Sequence, residues 1–416
     1  MRTSRTGNGF ALHASGKNRK AEMQMEFRKN KRGSSPGQSI WLWLLELVFM
    51  AVLAVCAYGI SVSQKVGHEE LDSDIFVGGQ GEDETQAAAA ESLSWIRDGA
   101  VDLKSVSANQ DSYRTILLAG VDARDQSSMT KGANTDVLMI VSLNERTGGI
   151  RLVSVLRDTL MHLISGGRYY PDRLYDKANA QNCYTGISDT VSMLNLNLDL
   201  DIREYAAVNW LAAASVIDTL GGVEMTVENE EILGYLNGYL AEVNEMTGIP
   251  SPQVAGCGTQ LLTGTQAVSF CRVRYGGLQD SGRTGHQREL VGAVLKQMKQ
   301  KLFEHPSAVM EAVNRAAENI VTNLSFSEIG ALAFEAGSFV IEDQCVFPFH
   351  YQTDGENGAI CRATGGVKDA LAAVDLTADV EELHRFLYGD NAASYTAPEY
   401  VRQISEDIRW ITGENK

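Results

Sequence analysis

Cationic side chains gather in one segment of this chain, CRVRYGGLQDSGRTGHQR, which runs from Cys271 to Arg288. The segment holds four arginines and one histidine around a single acid, Asp280, although the whole chain has a formal net charge of −17. Guanidinium groups bind the paired oxygens of phosphates in a fork, and charge-assisted bonds of this kind are strong. The segment therefore predicts a site for a densely charged anion, and a solvated charged loop is the plainer alternative.

Three further stretches place arginine or aspartate where predicted strands begin or end. Asp122 and Arg124 follow the apolar run TILLAGV, Asp136 begins the run DVLMIVSL, and Arg157 and Asp158 follow IRLVSVL. Carboxylates bind hard cations such as Mg²⁺ and arginines bind phosphate oxygens, so the set suits a polyphosphate held through a divalent metal. Each Arg–Asp pair alone is better explained as a structural ion pair. Their repetition within one domain favours the binding site.

Other chemistries find little support in the sequence. There is no GxSxG motif of a serine hydrolase and no GxxxxGK[ST] phosphate loop. The seven histidines are scattered and pair with no plausible nucleophilic cysteine. The acidic balance argues against a nucleic-acid partner, which would select a basic surface.

Apolar runs and helical periodicity alternate through the middle of the chain and would position these charged groups. Thr115–Ala119 predicts a buried strand, and two paired strands are predicted on either side of the turn NERTGG. Apolar residues recur at helical spacing between Leu290 and Leu302. We therefore expect an α/β fold in which a central, mostly mixed β-sheet is covered by helices on both faces.

The predicted catalytic domain covers residues 113–389, and residues 390–416 are predicted to be a C-terminal tail with at most a loose helix in YVRQISEDIRWI. Within the domain, helices are predicted at Ser307–Asn323 and Phe326–Gly337, followed by a strand near Val346.

The N-terminal region has the pattern of a membrane anchor. Residues 1–39 carry nine Lys/Arg against two Glu, and residues 40–62 hold one charged residue, Glu46. About 20 apolar residues suffice to cross a bilayer as a helix. Because the basic flank comes first, the positive-inside rule places residues 1–39 in the cytoplasm, with 63–112 as an extracytoplasmic stalk. A cleaved signal peptide is the alternative, but its apolar region is usually shorter.

Five cysteines follow the predicted span and would lie outside the cell, where disulfides persist. Cys257 with Cys271, and Cys345 with Cys361, would each close a short loop, and we expect two disulfides there. The spacing of the cysteines and histidines does not indicate a zinc site.

Taken together, these motifs resemble the LytR-CpsA-Psr family of cell-wall proteins. The resemblance runs from about Thr115 to Tyr388 and rests on TILLAGVDARD, NTDVLMIVSLNERTGGIRLVSVLRDT, YAAVNWLAAASVIDTLGGVEMTV, LLTGTQAVSFCRVRY and DSGRTGHQR, in this order. It implies a single-pass cell-membrane protein with an extracytoplasmic phosphotransferase domain. Such proteins move a glycopolymer from an undecaprenyl-pyrophosphate carrier onto peptidoglycan with Mg²⁺ (or Mn²⁺), and their domain encloses an apolar channel for the polyprenyl tail.

The resemblance also implies roles for individual residues. Asp122 and Asp136 would hold the metal, and Asp158 would orient Arg157. Five arginines would face or contact the pyrophosphate, namely Arg124, Arg157, Arg272, Arg274 and Arg283. Asp280 would pair with one of these arginines, and Gln287 matches the glutamine of the family's Arg-Gln motif. Leu156 replaces a proline that is frequent in the family, and His286 replaces an arginine, which makes one phosphate contact doubtful or dependent on pH.

Two other functions fit the same residues. One is a non-catalytic binder or regulator of lipid-linked wall polymers, although the pair Asp122 and Asp136 favours catalysis because a binder has little need of a metal. The other is a hydrolase of the polyprenyl pyrophosphate itself. The expected partners are the lipid-linked glycopolymer, peptidoglycan and the membrane, with no nucleic acid.

Overall fold

The computed structural model describes residues 61–62, 64–71, 112–164, 175–274, 279–353 and 358–413. The chain divides into two compact units, residues 1–60 and 61–416, and all described residues belong to the second unit. The predicted cytoplasmic segment and nearly all of the predicted span at 40–62 lie outside the described residues. Within the described ranges, no helix combines the length and the apolar character that crossing a membrane requires.

A central sheet organises the second unit. Its strands lie in the spatial order β1 (Gly67–His68), β10 (Ile320–Thr322), β7 (Glu204–Val208), β2 (Tyr113–Val121), β3 (Thr135–Asn144), β4 (Gly149–Val155) and β11 (Val340–Phe347). Strands β2 and β3, β3 and β4, and β10 and β7 pair antiparallel, whereas β2 and β7, β4 and β11, and β1 and β10 pair parallel. The prediction of a mixed sheet is confirmed.

Helices and three small antiparallel sheets surround this sheet. The small sheets pair β5 (Leu160–His162) with β6 (Tyr175–Lys177), β8 (Val223–Val227) with β9 (Gly258–Leu262), and β12 (Tyr351–Thr353) with β13 (Leu371–Ala373). The helices are α1 (Gln126–Thr130), α2 (Ala180–Tyr184), α3 (Ile187–Leu198), α4 (Trp210–Thr219), α5 (Glu230–Thr247), α6 (Gly264–Phe270), α7 (Gln279–Glu304), α8 (Pro306–Ala316), α9 (Phe326–Glu335), α10 (Ala359–Ala363), α11 (Leu376–Tyr388) and α12 (Glu399–Thr412).

The two faces of the sheet bury different sets of side chains, because successive residues of a strand point to opposite faces. On one face, which we call the packed face, Leu117, Leu138 and Val153 join a large core with helices α3, α11 and α12. On the other, the pocket face, Met139 and Leu152 meet helices α7 and α9. Both faces are covered by helices, as the sequence predicted.

Local sequence signals fix the helices that approach the pocket face. Asn209 caps α4 by accepting a hydrogen bond from the Ala212 amide at 2.9 Å. Thr263 begins α6 with a capping box that Gln266 completes. A Cβ atom on Gly264 would lie 2.0 Å from the Ala214 carbonyl oxygen, so only glycine lets α6 approach α4 this closely.

The C-terminal prediction needs correction. The described part of the predicted tail, residues 390–413, belongs to the domain, because α12 buries Tyr400, Val401 and Ile404 in the core of the packed face. The predicted helix at Ser307–Asn323 is also too long. It ends at Ala316, and Ile320–Thr322 form β10, which pairs with β7.

The segment after the predicted span also differs from a free stalk. Gly67 and His68 form β1 and pair with β10, and Leu71 packs against the core. Residues 72–111 of the predicted stalk lie outside the described residues.

The two predicted disulfides are wrong, since all four cysteines are free. Cys257 is exposed, and its thiol lies 3.5 Å from a carboxylate oxygen of Glu230. Cys271 is instead buried at the end of α6, with its thiol 3.6 Å from the carbonyl oxygen of His286. Cys345 lies on β11 and Cys361 on α10. Closeness in sequence does not bring the sulfur atoms together, because the partners of each pair belong to separately packed elements.

Candidate active site

A polar pocket of about 80 Å³ brings together three of the arginines singled out in the sequence. Its lining residues are Asp136, Trp210, Tyr239, Cys271, Arg272, Arg274, Arg283 and Gln287. Five of these eight residues were predicted site residues, drawn from two separate motifs. Asp136 lies far from the arginines in the sequence, but the fold places the start of β3 beside α6 and α7.

Helix α7 supplies the two most buried polar groups of the pocket. Arg283 and Gln287 are four residues apart, so their side chains lie on the same face of the helix. Both are almost fully buried, with exposed fractions of 4% and 5%.

Arg272 follows α6 and is held by side chains of α5. Its Nη2 donates to Glu242 Oε1 at 3.0 Å and its Nη1 lies 3.3 Å from the Met246 sulfur. The guanidinium carbon lies 5.4 Å from the centroid of the Tyr239 ring, a cation–π distance. These contacts orient Arg272 toward the pocket before any ligand binds. The α5 residues were not predicted as site residues.

A chain of ion pairs leads away from the pocket through Asp136. Arg157 Nη1 donates to Asp136 Oδ1 at 2.6 Å, and Arg157 Nε lies 3.5 Å from Asp158 Oδ2. Asp158 Oδ1 in turn lies 3.1 Å from Lys177 Nζ on β6. This geometry agrees with Asp158 orienting Arg157, and it adds Lys177, which the sequence did not single out.

Asp122 and Arg124 are exposed and do not line the polar pocket. The Asp122 amide donates to the Asn134 carbonyl at 3.1 Å, which ties the residue to the start of β3, two positions before Asp136. The two aspartates therefore share one end of the β2–β3 pair. The side chain of Asp280 lies outside the described residues.

The carboxylates fit a magnesium site of one particular kind. Among the described positions, no group of three or more His, Cys, Asp and Glu residues is arranged to hold a metal ion. Mg²⁺, however, is usually bound through one or two carboxylates together with water and substrate phosphates. Asp136 lines the polar pocket beside three arginines, so a phosphate held there would be close to this carboxylate.

His286 does not take part in the polar pocket. Its ring stacks on Phe270 with centroids 4.1 Å apart, and Nε2 lies 3.6 Å from Glu228. Burial lowers the pKa of His286, and the Glu228 carboxylate opposes this shift only in part. The side chain of His286 is therefore not placed to make the phosphate contact that the sequence left doubtful. Arg288 also points elsewhere and donates to the Ser154 hydroxyl at 2.9 Å.

An apolar pocket of about 350 Å³ adjoins the polar pocket. It lies between the pocket face and helices α4 and α7, and Leu118, Met139, Val141, Leu152, Val216, Val291, Val294, Leu295, Met298 and Ile341 contribute to its lining. Trp210, Cys271 and Gln287 line both pockets. A polar, cationic chamber thus opens beside an apolar one, the arrangement that an amphiphile with an anionic headgroup requires.

Comparison with known proteins agrees with this geometry. The model of the LytR_cpsA_psr family matches residues 80–347. A polyisoprenyl-teichoic acid–peptidoglycan teichoic acid transferase TagU of Halalkalibacterium halodurans is 30% identical over 55% of this chain and 65% of its own length, somewhat less than two thirds. The corresponding TagT of Bacillus subtilis is 25% identical over 61% of this chain and 73% of its own length.

A solved structure of TagT bound to LI-WTA superposes with a TM-score of 0.50. It is 20% identical in sequence, and the superposition covers 67% of this chain and 92% of that one. At this level of identity the likeness concerns the fold.

Proposed function

Since the chain belongs to the LytR-CpsA-Psr family, we propose that it is a membrane-anchored phosphotransferase that moves a glycopolymer from a polyprenyl-pyrophosphate carrier onto peptidoglycan. The observation that carries this proposal is the joined pair of pockets, one cationic and one apolar, with Trp210 and Gln287 at their boundary. The names of the TagU and TagT relatives support it. A site for a small soluble phosphate would have no use for the apolar chamber.

The two pockets divide the carrier lipid between them. The polyprenyl tail lies in the apolar pocket, where it leaves water. The pyrophosphate lies in the polar pocket, where the guanidinium groups of Arg272, Arg274 and Arg283 bind its oxygens. Arg157 is connected to this arrangement through Asp136, whose Oδ1 accepts from Arg157 Nη1 at 2.6 Å.

Transfer is a single displacement at phosphorus. The oxygen of the acceptor hydroxyl attacks the phosphorus that carries the glycopolymer, and the bond from this phosphorus to the bridging oxygen breaks. Polyprenyl phosphate leaves with the electron pair, and the hydroxyl proton passes to a carboxylate or to water. In phosphoryl transfer the protein contributes mainly by positioning the reactants and stabilising charge, which suits an arginine-lined pocket.

Asp122 and Asp136 would hold Mg²⁺ (or Mn²⁺) at the shared end of β2 and β3. When bound, the ion would neutralise charge on the pyrophosphate. The ion pair of Asp136 with Arg157 would hold this carboxylate in place beside the pocket.

The proposed location is the cell membrane, with residues 40–62 as the single span and the domain outside the cell. The basic flank of nine Lys/Arg before residue 40 supports this orientation. Single-cysteine variants labelled in intact cells should react with an impermeant reagent after residue 63 and remain unlabelled at residue 20. Labelling at residue 20 would reverse the proposed orientation.

Substitution of Arg283 by lysine tests the phosphate site. Lysine keeps the charge but cannot reproduce the fork, so transfer from a lipid-linked donor should fall about 100-fold. Arg288→Lys is the matched control, since Arg288 lies on the same helix and contacts Ser154 instead of the polar pocket. Both variants are compared for transfer with and without a glycan acceptor, and circular dichroism reports the fold. Full transfer by a folded Arg283→Lys variant would remove the phosphate-binding role.

A further inference from the structure

Helix α5 carries a stripe of side chains that begins at the polar pocket and leads away from it. Tyr235, Tyr239 and Glu242 are spaced by four and three residues, so they share one face of the helix. Tyr239 lines the polar pocket. Tyr235, one turn earlier, is a large side chain with 46% of its surface exposed. The stripe thus joins an aromatic ring inside the pocket to a second ring on the open surface.

Two glycines leave part of the surface of α5 near Tyr235 without side chains. Gly234 and Gly238 lie within α5, where glycine is a much poorer helix former than alanine. A Cβ atom built on either glycine would meet no atom within 4 Å among the described residues. Contacts within the described fold therefore do not require glycine at these two positions. Gly238 follows Gly234 by four residues and Tyr235 by three, so the two glycines leave a low surface next to Tyr235 where another molecule can approach the helix backbone closely.

We propose that this stripe, together with the low surface at Gly234 and Gly238, binds the acceptor glycan strand and guides its hydroxyl to the polar pocket. The proposal rests on the transferase function proposed above. Sugar rings have apolar C–H faces that pack well on tyrosine rings, and the phenolic hydroxyls can bond to sugar hydroxyls. A linear stripe also suits a linear polymer with repeated rings.

The layout of the polar pocket favours the acceptor as the occupant. In phosphoryl transfer the attacking and leaving oxygens lie roughly in line with the phosphorus. The leaving lipid phosphate lies toward the apolar pocket, on the side of Trp210 and Gln287. Tyr239 belongs to the part of the polar wall that the apolar pocket does not share. The acceptor must approach from the unshared part, where the stripe ends.

Glu242 connects the stripe to the phosphate site. Its carboxylate accepts from Arg272 at 3.0 Å and has 55% of its side-chain surface exposed. The remaining lone pairs of this carboxylate can accept hydrogen bonds from sugar hydroxyls. Because Arg272 also contacts the Tyr239 ring, the stripe and the arginine are fixed relative to each other.

Acceptor titrations with the full chain in proteoliposomes test the stripe. The donor is a lipid-linked glycopolymer and the acceptor is a soluble peptidoglycan glycan fragment. Tyr235→Ala should raise the acceptor KM about fivefold, the effect expected for one lost ring contact, with the donor KM unchanged. Tyr235→Phe keeps the ring face and should restore most of the affinity.

Gly238→Leu provides a second test that separates binding from folding. Leucine is the better helix former, so this variant should melt no lower than the parent chain. Its side chain would nevertheless cover the cleared surface and raise the acceptor KM. Tyr351→Ala is the matched control for Tyr235→Ala, since Tyr351 is a tyrosine of similar exposure that lies on β12, outside the stripe.

Three outcomes would overturn the inference. An unchanged acceptor KM in both Tyr235→Ala and Gly238→Leu removes the stripe from acceptor binding. A raised donor KM with an unchanged acceptor KM assigns the stripe to the donor glycopolymer. If the parent chain transfers nothing, the proposed function fails, and calorimetric titration of the glycan fragment still tests the stripe: equal binding by parent and Tyr235→Ala contradicts it.

Discussion

The two faces of the central sheet are built from alternate residues of the same strands but differ in how they are filled. On the packed face, Leu117, Leu138 and Val153 are fully buried against α3, α11 and α12. On the pocket face, Leu118, Met139 and their neighbours border an apolar pocket of about 350 Å³. Interior packing normally leaves few voids larger than a water molecule. The difference indicates that one face serves mainly stability, while the other gives up close packing to hold a ligand.

One buried polar group on each side can be compared for its hydrogen bonds. On the packed side, the buried Asp199 carboxylate accepts hydrogen bonds from the Tyr395 hydroxyl, at 2.7 Å, and from the Tyr400 hydroxyl. At the pocket side, the buried Gln287 Oε1 has no hydrogen-bond partner in the described part of the chain. Buried polar atoms are rarely left unsatisfied in a native protein. A ligand in the adjoining pockets can provide the partner that Gln287 lacks.

Truncation of one leucine on each face should show the largest difference. Leu383→Ala, on the packed side, should lower the free energy of unfolding by about 4 kcal/mol because a sealed cavity remains. Leu295→Ala should cost about 1 kcal/mol, since this side chain already borders open space. Urea unfolding of the full chain in detergent measures both. Equal losses would mean that the pocket face is as tightly packed as the other.

Much of the fold could be predicted because its main strands are continuous apolar runs, which read as buried strands in any context. Three elements could not be predicted from the sequence. Strands β1 and β10 have two and three residues, and only their pairing with each other and with β7 creates them. Helix α12 buries Tyr400, Val401, Ile404 and Ile408, but the region from Asp390 as a whole shows little apolar periodicity, which predicted a tail. Contacts with the rest of the fold, which the local sequence does not show, determine the position of these three elements.

The part of the candidate site that could be predicted is its cluster of arginines. Arg272, Arg274 and Arg283 stand out in an acidic chain, and they converge as expected. Tyr239 and Glu242 could not be found, because they lie in an ordinary amphipathic helix and gain a role only through contact with Arg272. For His286, the sequence indicated only that a phosphate contact was doubtful, and it could not show where the ring would lie. Nothing in its own motif shows that Phe270 and Glu228 would hold the ring elsewhere.

The packed side should also contribute more to the loss of stability in acid, because it contains the buried His162. This buried ring packs edge-on against Tyr175, and burial lowers its pKa from 6.5 to about 4 despite the opposing charge of Asp407. The unfolded chain therefore binds the proton first. The stabilisation is complete above pH 6.5 and is lost as the pH falls toward 4, by about 3 kcal/mol in total.

A His162→Gln variant should accordingly lose about 3 kcal/mol less than the parent chain between pH 7 and pH 4, as measured by urea unfolding at several pH values. The carboxylates are common to both proteins and cancel in this difference. His286→Gln is the matched control from the other side, where Glu228 at 3.6 Å supports the charged ring and should make the change smaller. Parallel pH profiles for the parent and His162→Gln would show that His162 does not titrate on unfolding.

Enlarging one alanine on each side should have the smallest effect on stability, and it tests directly whether the apolar pocket is open. Ala207 on β7 and Ala212 on α4 are both almost fully buried, but only Ala212 borders the apolar pocket. Ala207→Leu has no space for the added atoms and should destabilise by about 2 kcal/mol. Ala212→Leu can extend into the pocket, so its free energy of unfolding should change by less than about 0.5 kcal/mol.

The same Ala212→Leu side chain would occupy space that the polyprenyl tail needs. We therefore expect its KM for a long-chain lipid donor to rise while its KM for a short-chain donor changes little, and Ala207→Leu should show no such dependence on chain length. If Ala212→Leu destabilises as strongly as Ala207→Leu, the space is closed in solution and the two faces do not differ. If stability is kept but long and short donors respond alike, the space is open and the tail lies elsewhere.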